Sequence, residues 1–132
     1  NAETGAEELV LPGHDWAVLS GEFSRDGKRI ITGGEDNIAI IWDATTGEIL
    51  LKLAGHTDSV TAVALSPDGT RALTGSQDNT VKLWDAHTGK EILTLTGHNE
   101  EVTRVSFSPD GKDVLSSSRD GQTILWPSRD WK

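Results

Sequence analysis

The chain has no cysteine, and this absence excludes three kinds of chemistry. Disulfide frameworks, zinc sites with thiolate ligands and thiol nucleophiles all require that residue. The sequence also lacks a run of about eighteen apolar residues, which excludes a transmembrane helix. Basic residues are few, 12 against 21 acids, and the formal net charge of −9 repels phosphate backbones. We therefore expect no nucleic-acid partner and no membrane partner.

The length of 132 residues suits one modest domain and is too short for two domains with well-buried cores. Apolar residues make up 35% of the chain, and five tryptophans supply large side chains for a core. We therefore predict a single repeat domain over residues 1–132. The sequence leaves its localisation unknown, but a soluble cytoplasmic protein is favoured over a secreted one.

Four landmarks recur at a step of 42 residues, without insertion or deletion. They are the histidine of a Gly-His pair, an aspartate followed by glycine, a second aspartate and a tryptophan. Their positions are His14, His56 and His98; Asp26, Asp68 and Asp110; Asp36, Asp78 and Asp120; and Trp42, Trp84 and Trp126. A step of this length lies in the range of about 40–45 residues expected for the blades of a β-propeller.

Each repeat has the pattern of short strands rather than helices. In the middle copy, residues 60–65, 71–75, 80–84 and 91–95 are rich in β-branched and apolar side chains. The turn at residues 66–69 has the sequence Ser-Pro-Asp-Gly, in which proline presets φ, aspartate caps the turn and glycine accepts a positive φ. Four antiparallel strands in 42 residues make one propeller blade.

The residues of this unit resemble one known family. Gly55-His56, the turn at 66–69, the stretch 78–80 and Trp84-Asp85 together look like a WD-repeat blade, and the pattern covers about residues 4–126 in three copies. The resemblance implies an all-β fold, a WD-repeat β-propeller with three four-stranded blades. The blades are expected at about residues 14–53, 56–95 and 98–126.

The resemblance also implies a buried hydrogen-bond network in each blade, which joins a histidine, a strand hydroxyl, the turn aspartate and the tryptophan. Such a network is physically reasonable, because a buried carboxylate is costly unless it accepts hydrogen bonds. The twelve expected positions are His14, Thr32, Asp36 and Trp42; His56, Thr74, Asp78 and Trp84; and His98, Ser116, Asp120 and Trp126.

The chain departs from the family pattern at several points. The third copy lacks the aspartate after Trp126, and the first copy has Arg25 where the other two turns have Pro67 and Pro109. The first copy also carries Glu22 in its predicted inner strand. We expect this strand to be the least tightly packed and Glu22 to lie near the central channel or a blade interface.

Histidine, hydroxyl and aspartate are also the residue types of a hydrolytic triad, and three histidines are the residue types of a zinc site. A structural network is favoured, because the triple occurs three times and each histidine has an aspartate in its own blade. The sequence has no calcium loop and no phosphate-binding loop. We therefore predict that the chain is not an enzyme and has no catalytic residue, cofactor or metal.

Recognition of another protein or peptide remains, and loop residues on a rigid scaffold carry it in propellers. Candidates lie two positions after each histidine and immediately before each turn aspartate, where the copies differ from one another. The expected binding face comprises Trp16, Glu35, Asp58, Gln77, Glu100 and Arg119. Trp16 lies outside the structural tryptophan register, so it either packs against the chain's own loops or forms an interaction hot spot.

The phase of the repeat predicts how the blades are completed. Residues 7–11 correspond to residues 49–53, an outer fourth strand, whereas only six residues follow Trp126 in the third copy. The third blade therefore lacks its outer strand. We expect that strand to come from the N-terminal segment of another chain or from a missing segment, as in the strand exchange of WD-repeat propellers.

Three blades are too few to close, because closed propellers have about 4–8 blades. We therefore predict a non-catalytic interaction scaffold that associates head to tail with itself. A homodimer with six blades is favoured over a homotrimer with nine. Two alternatives stay open: the C-terminal half of a longer propeller, or a structural or designed fragment whose only partner is another propeller fragment.

Overall fold

Strands make up most of the structure, a computed structural model that describes residues 9–128. The eleven strands of the described residues are, in chain order, β1 Val18–Phe23, β2 Arg29–Gly34, β3 Ile38–Asp43, β4 Ile49–Ala54, β5 Val60–Leu65, β6 Arg71–Ser76, β7 Thr80–Asp85, β8 Glu91–Thr96, β9 Val102–Phe107, β10 Val114–Ser118 and β11 Thr123–Trp126. Their spacing follows the 42-residue step of the sequence.

The strands form three antiparallel sheets, which we call blades 1, 2 and 3. Blade 1 has the order β1-β2-β3-β4 and blade 2 the order β5-β6-β7-β8, while blade 3 contains β9, β10 and β11 within the described residues. The predicted all-β fold with three antiparallel blades is confirmed. Of the outer strand expected at residues 7–11, positions 7 and 8 lie outside the described residues, and positions 9–11 are not in a strand.

The turn between the first two strands of each blade forms through its aspartate and glycine. In blade 2, Asp68 Oδ1 accepts hydrogen bonds from the Ser66 hydroxyl at 2.8 Å and from the Thr70 amide at 3.0 Å. Donors from Thr70 and Ser66 lower the pKa of Asp68 to about 2. Gly69 adopts a φ of 76°, which a residue without Cβ reaches at no steric cost. The Ser-Pro-Asp-Gly sequence thus specifies the turn locally.

The apolar core lies between neighbouring blades. One cluster fills the space between blades 1 and 2, and a second fills the space between blades 2 and 3. The first comprises Ile31, Ala39, Ile41 and Leu53 from blade 1, with Val60, Val63, Leu65, Ala72, Trp84 and Ala86 from blade 2. The second comprises Ala62, Ala64, Leu73, Val81, Leu83 and Leu95 from blade 2, with Val102, Val105 and Val114 from blade 3. Blade 2 therefore contributes both of its faces to the core.

The blade backbones approach closely where a glycine of one blade faces a valine of the next. A Cβ atom on Gly33 would lie 2.6 Å from Val60 Cγ1, and one on Gly75 would lie 2.5 Å from Val102 Cγ1. No side chain fits there without a shift of the valine. The same position in blade 3 carries Ser117.

The glycine of each Gly-His pair lies against the tryptophan of the same blade. A Cβ on Gly13 would lie 2.7 Å from Trp42 Cη2, and one on Gly55 would lie 3.1 Å from Trp84 Cη2. Trp42 and Trp84 are almost fully buried. The chain segment that enters each blade thus covers the indole ring, which explains why glycine precedes histidine.

Strand β1 is the most exposed of the three inner strands, as expected for the first copy. Five of its six residues are exposed, whereas β5 is almost wholly buried. The reason is position, since β5 packs between β1 and β9 while β1 has a neighbouring inner strand on one side within the described chain. Glu22 on β1 lines an open cleft of about 530 Å³ along the inner strands, which Arg104 on β9 also lines.

Candidate functional site

The polar network is most complete in blade 2, where it connects the segment before β5 to strands β6 and β7. His56 Nδ1 lies 2.8 Å from Asp78 Oδ2, and His56 Nε2 lies 2.6 Å from Thr74 Oγ1. Trp84 Nε1 donates to the same hydroxyl at 2.9 Å, and the Thr57 amide donates to Asp78 at 3.1 Å. One series of hydrogen bonds thus joins a loop, a turn and two strands.

Burial and hydrogen bonding act in opposite directions on the charges of this network. The pKa of His56 lies below its ordinary value because burial disfavours the imidazolium, although Asp78 favours it. Burial alone raises the pKa of Asp78, but hydrogen bonds from Thr80 and His56 outweigh burial and hold it below its ordinary value. A neutral imidazole therefore lies beside a carboxylate at neutral pH.

Blade 1 has the same arrangement. His14 Nδ1 lies 2.9 Å from Asp36 Oδ2, and His14 Nε2 lies 2.7 Å from Thr32 Oγ1. Trp42 Nε1 donates to Thr32 Oγ1 at 2.9 Å. Burial raises the pKa of Asp36, but the hydrogen bond from His14 and others outweigh it, so the net shift is downward. The structure thus brings the four expected side chains of blade 1 together.

Blade 3 differs from the expected network at its aspartate. His98 Nε2 lies 2.7 Å from Ser116 Oγ, and Trp126 Nε1 donates to that hydroxyl at 2.8 Å. Asp120, however, is exposed and does not bond to His98, whose Nδ1 has no hydrogen-bond partner within the described part of the chain. The inclusion of Asp120 in the network is therefore wrong for this structure.

Local competition explains the position of Asp120. Its carboxylate accepts hydrogen bonds from the Ser118 hydroxyl and from the Gln122 amide. In blade 2 the residue at the position of Gln122 is Thr80, whose hydroxyl holds Asp78 Oδ1 at 2.6 Å. The serine is the difference that matters: Ser76, the counterpart of Ser118 in blade 2, donates its hydroxyl to Asp58 O at 3.1 Å instead, and blade 1 has Gly34 at this position. Within the described residues, only in blade 3 does this hydroxyl donate to the turn aspartate.

The six residues of the expected binding face are all exposed, on the loops and turns above this network: Trp16, Glu35, Asp58, Gln77, Glu100 and Arg119. A backbone hydrogen bond fixes each loop to its turn in the three blades, from the amide of Glu35 to Ala17 O, of Gln77 to Ser59 O and of Arg119 to Glu101 O, at 2.8, 2.9 and 2.9 Å. The two candidates of each blade therefore lie on the same end of that blade.

Trp16 is the most exposed large apolar side chain of residues 9–128, with 69% of its surface accessible. Packing of this ring against other loops of the described chain, the alternative left open by the sequence, is therefore not observed. The other candidates on the three blades are mainly acidic: Glu35, Asp58 and Glu100 are exposed. The Nη1 atom of Arg119 lies 3.8 Å from Glu101 Oε1. The candidate face thus contains one exposed indole ring and three exposed carboxylates.

The arrangement contains no group suited to metal binding within the described residues, since no cluster of three histidine or acidic side chains is positioned to hold an ion. Between residues 9 and 128, no helix is long and apolar enough to cross a membrane. The histidines of the network face partners in their own blades.

One polar cluster was not anticipated from the sequence. Lys82 is nearly buried on β7, where its Nζ donates to Glu91 Oε1 at 3.0 Å and to Thr94 Oγ1 at 2.9 Å. Its register position carries Ile40 in blade 1 and Ile124 in blade 3. The lysine in place of isoleucine, together with an acid on the next strand, is the signal that identifies this pair.

The turn aspartate of blade 2 accepts more hydrogen bonds than that of blade 3, so its removal should lower the free energy of unfolding by a larger amount. Asp78→Ala leaves His56, Thr57 and Thr80 without their acceptor, so we expect it to lower the free energy of unfolding by about 1–3 kcal/mol. Asp120→Ala removes only the bonds of an exposed carboxylate to Ser118 and Gln122, so we expect a smaller loss of stability than for Asp78→Ala. Urea denaturation at one protein concentration measures both, and equal midpoints for the two variants would contradict the difference between the blades.

The shifted pKa values predict that acid destabilises the fold in two stages. A histidine whose pKa is lowered in the folded state contributes stability that is complete above its unfolded pKa, about 6.5, and is lost as the pH falls. His56 and His98 both have lowered pKa values because of burial. The carboxyl of Asp78, also lowered, loses its contribution only at more acidic pH, below its ordinary value of 3.8.

Unfolding free energies between pH 7.5 and pH 5.5 test the first stage. Wild type should become less stable on acidification, and His56→Gln should reduce this slope without removing it, because His98 remains. His87→Gln is the matched control, since His87 is exposed. A slope unchanged by His56→Gln would show that protonation of this imidazole does not limit stability.

Comparison with known proteins agrees with this geometry. The sequence model of one family, described as "WD domain, G-beta repeat", matches residues 5–43, 47–85 and 89–127. Among curated proteins, the chain is similar to the "Vegetative incompatibility protein HET-E-1" of Podospora anserina, with 48% identity over 46 residues, which are 35% of this chain and 3% of that protein. WD repeats generally mediate protein interactions as scaffolds. Because the family matches cover most of its length, the chain belongs to the WD domain, G-beta repeat family.

Proposed function

We propose that the chain is a non-catalytic protein-interaction scaffold and that two copies associate head to tail into a closed six-bladed propeller. One observation carries the proposal. The positions that are buried between blades inside the chain are exposed at its two ends, and the residues there are still apolar. An exposed apolar surface of this kind favours association.

The first end face belongs to blade 3. On blade 1, Ile31 and Ile41 face blade 2 and are fully buried, with an accessible fraction of 0%. The same positions on blade 3 are Leu115 and Leu125, which are 42% and 60% accessible. The blade 3 face is therefore built like an internal face but has no blade packed against it within the described chain.

The second end face belongs to blade 1. On blade 2, Val60 and Leu65 face blade 1 and are buried. Their counterparts on blade 1 are Val18 and Phe23, which are 55% and 63% accessible. Since internal faces of these two types already pack against each other twice, blade 3 of one copy fits blade 1 of a second copy by the same geometry.

Two copies give six blades, which lies in the usual range of about 4–8 for closed propellers, whereas three copies give nine. A closed head-to-tail ring has no free end face and therefore stops growth that would otherwise continue as a fibre. The outer edge of β11 would then pair with residues 7–11 of the second copy. A longer propeller of which this chain is one half would bury the same faces within one polypeptide.

The joint, by which we mean the proposed interface between blade 3 of one copy and blade 1 of the next, differs from the internal interfaces at one close contact. Ser117 stands where Gly33 and Gly75 let a valine of the next blade approach. Since a Cβ at the equivalent internal positions would lie only 2.6 or 2.5 Å from the valine methyl, Val18 of the second copy must shift or change its rotamer. This difference makes the joint looser than the internal interfaces and supplies a variant that should tighten it.

Light scattering and sedimentation of the isolated chain test the ring. We expect twice the chain mass of 14.2 kDa, a shift towards monomer for Leu125→Glu, and tighter association for Ser117→Gly. Ile92→Glu is the matched control, because it places the same charge at an exposed apolar position on β8, away from both end faces. A folded monomer at micromolar concentration would contradict the ring, and a mass of three chains would favour nine blades.

A second function, recognition of a protein or peptide, is favoured by the exposure of Trp16 on a face whose other candidates are mainly acidic. A rigid aromatic ring that is exposed in the free protein is a frequent anchor of binding energy. The acidic neighbours favour a partner with cationic groups, which an indole ring also attracts through its face.

Peptides selected from a random displayed library against the chain test this face. Trp16→Ala should weaken their binding by at least about 1 kcal/mol, roughly fivefold, and leave thermal unfolding nearly unchanged. Leu50→Ala, which truncates an exposed apolar side chain on β4, should change neither quantity. Unchanged binding for Trp16→Ala, or a much lower melting temperature, would remove Trp16 from the interaction site.

A further inference from the structure

An arginine of blade 1 forms two hydrogen bonds to blade 2 at the edge of the interface between them. Arg29 on β2 donates from Nη1 to Ala86 O at 2.9 Å and from Nη2 to Gly69 O, and both acceptors belong to blade 2. One repeat later, Arg71 stands at the same position of blade 2. Both blades that face a following blade thus carry arginine at this position.

The corresponding position on the end face of blade 3 carries an acid. Asp113 is half-buried there, and its Oδ1 accepts a hydrogen bond from the Ser128 amide at 3.2 Å. Across a head-to-tail joint, this carboxylate would face residues 27 and 44 of the second copy, the counterparts of Gly69 and Ala86. A carboxylate cannot donate to their carbonyl groups as arginine does.

The turn of blade 1 that would face Asp113 carries a basic residue where the same turn of blade 2 carries a neutral one. The residue after Gly69 in blade 2 is Thr70, and its counterpart after Gly27 in blade 1 is Lys28, which is exposed. A base therefore stands on the blade 1 turn that would oppose Asp113. The neighbouring charges, Arg25 and Asp26 on the same turn, cancel each other formally, so Lys28 supplies the net positive charge of that turn.

A threonine hydroxyl of blade 3 can supply a hydrogen bond across the joint. Inside the chain, Thr61 Oγ1 on β5 donates to Val102 O of blade 3 and lies 3.3 Å from Gly75 O. The same position on β9 is Thr103, whose Oγ1 lies 3.3 Å from Ser117 O in the same way. The counterpart of Val102 is Val18, so the Thr103 hydroxyl is oriented to donate to Val18 O of a second copy.

We propose that the joint selects a second copy of this chain over other propeller fragments, because Asp113 of one copy pairs with Lys28 of the other and the Thr103 hydroxyl donates to the Val18 carbonyl. This inference rests on the proposed head-to-tail assembly. The apolar faces provide the affinity, and the ion pair provides the choice of partner, since charges across an interface mainly set specificity and association rate. The dimer should therefore weaken as salt concentration rises.

Charge reversal at the two positions tests the pair. Lys28→Asp and Asp113→Lys each place like charges at both joints of a two-fold ring, so each variant alone should dimerise with a dissociation constant raised roughly fivefold or more. Lys52→Asp makes the same charge change on an exposed outer-strand position and should leave the constant unaltered. Far-UV circular dichroism verifies that each variant is folded.

Mixing the two variants provides the decisive measurement. In a ring with one copy of each, one joint keeps both wild-type residues and the other has both substitutions, so both joints pair opposite charges. The mixed dimer should therefore form with nearly wild-type affinity and exceed both homodimers in native mass spectrometry. Thr103→Val, which removes the hydroxyl at nearly constant volume, should weaken the wild-type dimer severalfold.

The outcomes separate this inference from the assembly on which it rests. Recovery of affinity in the mixture supports the ion pair. A stable wild-type dimer in which neither reversal raises the dissociation constant, or in which mixing restores nothing, overturns the pair and leaves the ring intact. A wild-type chain that remains monomeric overturns both.

Discussion

Burial between neighbouring blades is the interaction on which the rest of this structure depends, because a single blade has two apolar faces and cannot cover either by itself. Blade 2 covers both of its faces, and its side chains dominate the two core clusters. Each fully buried aliphatic side chain contributes about 1.5–3 kcal/mol, whereas a hydrogen bond contributes a net of about 1 kcal/mol. The apolar contacts between blades therefore provide most of the stability, and the polar networks contribute geometry.

The geometry that the networks provide is the position of the loops. In blades 1 and 2 the histidine links the segment that enters the blade to the turn aspartate and to a strand hydroxyl. These bonds hold the loop that carries Trp16 or Asp58 against the turn that carries Glu35 or Gln77. In blade 3 the histidine reaches only the hydroxyl, so the turn that carries Arg119 is held by fewer bonds. The loops of the candidate binding face are thus held by different numbers of hydrogen bonds, and carry different charges, from one blade to another.

The 42-residue register made the fold predictable, because glycine, histidine and tryptophan recur at positions with fixed structural roles. Glycine recurs where a side chain would clash or φ is positive, and histidine and tryptophan recur where they share one hydroxyl. Gly13 and Gly55 lie against indole rings, and Gly69 requires a positive φ. The position of Asp120 was not predictable from the motif, because it depends on competition between Ser118 and His98 for one carboxylate. Lys82 shows the same limit, since whether a lysine among buried residues finds an acid depends on the facing strand. Residues that recur in every repeat therefore predict the fold. The contacts of a residue that differs in one repeat can be determined only when its neighbours in three dimensions are known.

The residues by which the end faces of blades 1 and 3 differ from the internal faces bear on the number of blades that a ring would contain. The close contacts of Gly33 with Val60 and of Gly75 with Val102 fix the rotation between successive blades inside the chain, and such packed contacts deform little. Any adjustment required to close a ring must therefore fall on the joint between copies. Ser117 replaces the glycine of the tightest contact, so the same close approach cannot form at that joint, while a charge pair tolerates variation in distance better than packed side chains do. In the proposed ring, a looser and charged joint would therefore take up the distortion that closure at six blades requires, and the packing between the blades inside each copy would stay unchanged.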